Sequence, residues 1–199
     1  MKELTGESLS GRRYGLAAFI LAVLLAPSAQ GAPSLTERHE DYAVTGSSAA
    51  ELRGQMDRLG PRSEDGKIYD ANTRSELSWR YNYQTSLDGC RIASTDIRMS
   101  VVYVMPRWDD YDGAPRNVRD SWDRYYGRLT VHEQGHRDIS VQVATDLERG
   151  MLGLRRRYCD ELGKDAEEMA RGSLKALKDR HRAFDDRTRH GADEGAVFP

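Results

Sequence analysis

The sequence predicts an α+β fold, a small antiparallel β-sheet followed by two long helices in a single domain. Three observations carry that prediction. Between residues 75 and 84 apolar and polar side chains alternate, and a second alternating run follows at about residues 91–105. From about residue 115 the apolar spacing lengthens to three and four and stays there nearly to the C-terminus. A chain of 199 residues suits one domain with a real core and is short for two.

The N-terminus is different in kind. Arg12 and Arg13 precede the apolar run "YGLAAFILAVLLA", which ends at Pro27, and the small residues Ala29 and Gly31 follow. This is the pattern of a secretory signal peptide, with cleavage expected after Gly31. The run is shorter than the roughly 20 apolar residues that cross a bilayer. Residues 1–31 are therefore expected to be removed, leaving a mature domain of residues 32–199 with no membrane span, secreted or periplasmic. An oxidising compartment favours joining the only two cysteines, Cys90 and Cys159. Closing so long a loop is worth about 4 kcal/mol on the chain-entropy account.

Along the mature chain, "HEDYAVTG" reads as a short first strand. A helix follows, with Ser47 as its cap, Leu52, Met56 and Leu59 on one face, and Gly60-Pro61 as its stop. Leu77, Trp79, Tyr81 and Tyr83 form the inner face of the next strand, and Asp88-Gly89 turns the hairpin. Its return strand carries Ile97, Met99, Val101, Tyr103 and Met105 on one side and is expected to end at Pro106. "SVVYVM" is apolar on both faces, which suits a strand inside the sheet. In the long helix over residues 115–157, Tyr125, Leu129, Ile139, Val143 and Leu147 share a stripe. A second long helix starts near Asp160, with Met169, Leu174, Leu177 and Phe184 on its apolar side, and an irregular tail is expected after it.

Charged residues make up 31% of the chain, yet they cancel to a formal charge of −2, so no phosphate-tracking surface and no nucleic-acid partner are expected. The chemistry concentrates in "VHEQGHRDIS", residues 131–140. Residues four apart on a helix lie one turn apart on one face, so His132 and His136 can present two imidazoles to one metal ion. Both fall on the inward stripe. Glu133 stands about 100° round, too far to be an equal ligand but suited to serve as general base for water activated by Zn2+. A catalytic zinc site takes a third protein ligand. The candidates are His190, just before a glycine past a helix end, or an acid of the second helix among Asp160, Glu161, Glu167 and Glu168. Gly135 costs about 1 kcal/mol against alanine in mid-helix, so either a close approach or simple tolerance explains it. Candidates for an oxyanion stabiliser are Tyr125, Tyr126 and His181. Residues 100–105 are a candidate edge for an extended peptide substrate.

"WRYNY…GCRIASTDIRMSVVYVMPRW", "HEQGH" and "FDDRTRHGADEG" together resemble a bacterial domain-of-unknown-function family (number 922), described as predicted secreted zinc-dependent proteases. The resemblance runs from about Asp41 to Gly195 and includes a C-terminal aromatic-Asp-x-x-Thr-x-His-Gly pattern, here with Phe184 where the family often has tyrosine. It implies a zincin-like metallopeptidase acting on a protein or peptide substrate and strengthens His190 as the third ligand. A zinc amidase acting on cell-wall peptide, and a non-catalytic exported binding module with a structural or vestigial zinc site, remain as alternatives.

Overall fold

The computed structural model describes residues 32–63 and 66–199, so the signal-peptide reading of residues 1–31 lies outside the described residues. The chain forms a mixed α/β domain with a four-stranded sheet and three helices: β1 (Ser34–Val44), α1 (Ala49–Leu59), β2 (Asn72–Ser86), β3 (Gly89–Trp108), α2 (Arg116–Gly153), β4 (Arg155–Arg156) and α3 (Cys159–Thr188). Short 3-10 turns lie at Tyr111–Gly113 and Ala192–Glu194.

The sheet is mixed rather than antiparallel. β2 and β3 form the expected hairpin, but β1 runs parallel to β3, from the Ser34↔Arg98 pair to Val44↔Trp108. β3 therefore lies inside the sheet, in the order β1-β3-β2. The hairpin leaves the far edge of β3 open to β1. α1 joins the end of β1 to the start of β2 at one end of the sheet, and β2 reverses the chain, so β3 returns in the direction of β1. An interior position also explains why "SVVYVM" is apolar on both faces, and it removes residues 100–105 as a free edge for substrate. β3 continues through Pro106 to Trp108. The last β2 partner is Val104, so the proline stands where only β1 still flanks the strand.

Alternation sorts side chains along β3 and the first part of β2 as the sequence indicates: Leu77, Ile97, Met99, Val101, Tyr103 and Met105 are buried, and Trp79 and Tyr81 half-buried. Tyr83, expected on the inner face, is instead exposed, past a register shift at Asn82/Tyr83. α1 is capped by Ser48 rather than Ser47. The Ser48 hydroxyl accepts from the Glu51 amide while the Glu51 carboxylate accepts from the Ser48 amide, a reciprocal capping box. Leu52 and Met56 face the core, whereas Leu59 is exposed, being in the last turn.

α2 is the spine of the domain. Its 38 residues span about 57 Å at 1.5 Å per residue. Val118, Trp122, Tyr125, Leu129, His136, Val143, Leu147 and Met151 recur at helical spacing and are buried against the sheet and α3. α3 packs on α2 and the sheet and buries Leu162, Ala166, Ala170 and Leu177, of which the two alanines allow a close approach, while Leu174 is exposed. A disulfide joins Cys90 at the start of β3 to Cys159, the first residue of α3. It thus anchors the second long helix to the sheet rather than the end of α2. Among the described residues no helix is long and apolar enough to cross a membrane.

Candidate metal centre

His132 and His136 project from the middle of α2 toward α3, both buried. There they meet Asp185, one turn before the end of α3. The Asp185 Oδ1 atom lies 3.3 Å from His132 Nε2 and 3.0 Å from His136 Nε2. Among the described residues this is the group of three whose ligand atoms lie within 4.8 Å of one another. Zinc bonds of about 2.0–2.1 Å imply ligand-to-ligand edges of roughly 3.3–3.4 Å in a tetrahedron, close to both separations.

His190 approaches the same carboxylate oxygen from outside, with Nδ1 at 3.5 Å and a side chain 47% exposed. Its Nε2 lies 3.4 Å from the Tyr69 hydroxyl, and the two rings are 4.6 Å apart. It stands at the rim of the centre and outside the tight group. Asp160, Glu161, Glu167 and Glu168 are absent from the cavity wall, and Glu167 accepts from the Trp79 indole instead.

Each buried histidine has a partner for its other ring nitrogen. His132 Nδ1 is 2.9 Å from Glu194 Oε2, and His136 Nδ1 is 2.8 Å from His181 Nδ1. His181 Nε2 in turn lies 3.3 Å from the Ser140 hydroxyl, which is 2.7 Å from that of Ser75 on β2. Burial opposes a charge on His132, but its hydrogen bonds to Asp185 and Glu194, with the nearby Glu133 carboxylate, outweigh it and hold the imidazole above its ordinary range. Burial and the neighbouring His136 press His181 down to about 4, so it stays neutral and can accept the His136 proton. Burial works against the Asp185 carboxylate, yet the two histidines that bond it hold it well below the usual range.

Glu133 is buried beside them. Its Oε2 accepts a 2.6 Å hydrogen bond from the Thr73 hydroxyl at the start of β2. Burial raises its carboxyl above the ordinary range, opposed by that hydrogen bond and by both histidines. His132, Glu133, His136, His181, Asp185 and Thr73 line an open cavity of about 930 Å³ between α2, α3 and residues 68–75, with Leu129, Leu177 and Ala71 among its apolar residues. Of the oxyanion candidates, Tyr125 is committed to Asp70 through a 2.7 Å hydrogen bond, Tyr126 stacks on Trp122, and His181 supports His136. Tyr69 is the tyrosine that reaches the rim.

Gly135 is explained by Phe184. A Cβ there would sit 2.5 Å from the ring, which stacks on His132 and meets His136 edge-on. Alanine gains about 1 kcal/mol of helix propensity and incurs about 1–3 kcal/mol of overpacking. Gly135→Ala should therefore lower stability by roughly 1 kcal/mol and weaken metal binding, read by thermal unfolding and zinc titration. A variant stabilised by its better helix propensity would contradict this account.

The fold and site define a mixed α/β domain with a buried cluster of two histidines and one carboxylate under an open cleft. The chain belongs to the family described as bacterial protein of unknown function, DUF922, whose model matches residues 39–191. No curated protein and no solved structure matches it.

Proposed function

We propose that this domain is an exported, zincin-like zinc peptidase that hydrolyses amide bonds, with His132, His136 and Asp185 holding the metal and Glu133 as general base. The convergence of His132 Nε2, His136 Nε2 and Asp185 Oδ1 at the wall of an open cavity carries this reading. Two imidazoles and a carboxylate suit zinc, and three protein ligands leave a position for substrate. Bound there, zinc would lower the pKa of a water molecule toward neutrality and polarise a carbonyl. Glu133, held by Thr73, takes the proton from the attacking water at its carboxylate and returns it to the leaving amine. Leu129, Leu177 and Ala71 offer apolar contacts to substrate side chains, with Arg182 and Asp186 of the same cavity for polar ones. A purely structural zinc site needs no cleft, so the cavity favours a hydrolase over a non-catalytic module. The disulfide agrees with an oxidising, extracytoplasmic location.

The test is metal analysis and hydrolysis of a peptide library by the purified protein. About one zinc per chain is expected, as the one three-ligand group among the described residues implies. Stripping with a chelator should abolish cleavage, and zinc should restore it. Protein that carries no zinc and takes none up would end this reading.

A further inference from the structure

We propose that the C-terminal turn is part of the metal centre, with Glu194 as the positioning residue that fixes which nitrogen of His132 faces the metal. The inference rests on the zinc reading above and assigns a role to a residue beyond the stretch matched by the family model, which ends at residue 191.

A neutral imidazole carries one proton on either of two nitrogens. An ionised carboxylate can only accept, so Glu194 Oε2, 2.9 Å from His132 Nδ1, takes the proton on that side. The lone pair is then left on Nε2, which points at Asp185 Oδ1 at 3.3 Å. A lone pair and a carboxylate oxygen repel at that distance unless a proton or a cation lies between them. Glu194 thus converts His132 from an ambiguous ring into a ligand with one available nitrogen, and a carboxylate on the far nitrogen also makes that ligand more basic.

The chain goes to some length to bring Glu194 there. After α3 ends at Thr188, Arg189 and His190 adopt left-handed backbone angles (φ 49° and 52°) and Gly191 follows at φ 79°. The Thr188 hydroxyl accepts from the Gly191 amide, and the Glu194 and Ala196 amides both donate to the Gly191 carbonyl. A Cβ on Gly191 would lie 3.0 Å from His132 Cγ and 3.1 Å from Ala196 Cβ, so only glycine lets the turn sit against the ligand. Beyond it, Phe198 is buried against Trp122 and Tyr125, on the same helix that carries His132. The turn is therefore pinned on both sides of Glu194. A side chain needed only for solubility would not require this reversal.

The experiment measures zinc affinity of the full chain by competition with a chromophoric chelator, for wild type, Glu194→Gln and Glu194→Ala. The cobalt-substituted absorption spectrum and the thermal unfolding of metal-free protein accompany it. Loss of such a carboxylate typically costs 10- to 100-fold in affinity, so Glu194→Ala should weaken zinc by roughly that factor. Glu194→Gln keeps the length and one acceptor oxygen and should fall between it and wild type. Both variants should shift the cobalt spectrum, whereas a merely structural role would move the unfolding of metal-free protein and leave the spectrum of the loaded protein as in wild type. Affinity and spectrum equal to wild type in either variant would overturn the proposal even if wild type binds zinc. Wild type that binds no zinc would instead remove the reading beneath it. Should the alanine variant fail to fold, the glutamine variant decides alone.

Discussion

Glu133→Gln should leave zinc content at the wild-type level and reduce peptide hydrolysis by about 100- to 10,000-fold, the range that general-base catalysis supplies. The expectation follows from position. On α2 Glu133 is next to His132 in sequence, so its side chain leaves the helix about 100° away from that histidine and lines the cavity beside the His132, His136 and Asp185 group. The Thr73 hydroxyl donates to Oε2, fixing the carboxylate from the β2 side and leaving Oε1 to take a proton. Glutamine has the same shape, can still accept from Thr73, and adds no charge to a buried site. It cannot receive the proton. A loss of activity with metal and unfolding temperature unchanged would therefore isolate proton transfer from binding and folding. If the glutamine variant kept more than about a tenth of the activity, well above the range for a lost general base, another group would have to be the base.

Much of this centre was legible because a helix repeats. The three-and-four spacing through Leu129, His136 and Val143 shows that the histidines face inward, and their burial on α2 bears that out. Strand alternation located the inner faces of β2 and β3 in the same way. Direction is another matter: alternation looks identical in parallel and antiparallel pairs, so nothing in "HEDYAVTG" indicated that β1 would run parallel to β3.

Asp185 was within reach of the sequence and was missed. It belongs to the aromatic-Asp-x-x-Thr-x-His-Gly pattern, and it continues the inner stripe of α3 through Leu177 and His181 at spacings of four. Two features hid it. The buried face of α3 has alanines, Ala166 and Ala170, between its two leucines, so its stripe carried little hydrophobic contrast. A histidine before a glycine is also a prominent ligand candidate, although which of the two residues reaches the α2 histidines depends on where the last helical turn ends. Glu194 had no local signal at all. Its contact with His132 spans 62 positions and exists only because three successive left-handed residues reverse the tail.

Asp185→Ala should weaken zinc binding by roughly a hundred- to a thousand-fold, whereas His190→Ala should stay within about ten-fold of wild type. Structural zinc sites gain about 10–16 kcal/mol from some four ligands, so one ligand is worth about 2.5–4 kcal/mol, or a factor of about a hundred to a thousand. Asp185 holds that position by geometry: one of its oxygens faces the Nε2 atoms of both α2 histidines at 3.0 and 3.3 Å. It also brings the one negative charge of the group, which two neutral imidazoles cannot replace. Asp185→Asn keeps the shape without the charge and should lie between aspartate and alanine. His190 is half exposed, faces Tyr69, and touches Asp185 rather than the other ligands. Removing it should lower hydrolysis more than binding if it and Tyr69 steady the substrate carbonyl at the rim. Equal loss of zinc in His190→Ala and Asp185→Ala would reverse the assignment. His190 would then complete the metal's coordination, and Asp185, 3.5 Å from its Nδ1, would be the carboxylate that aims it.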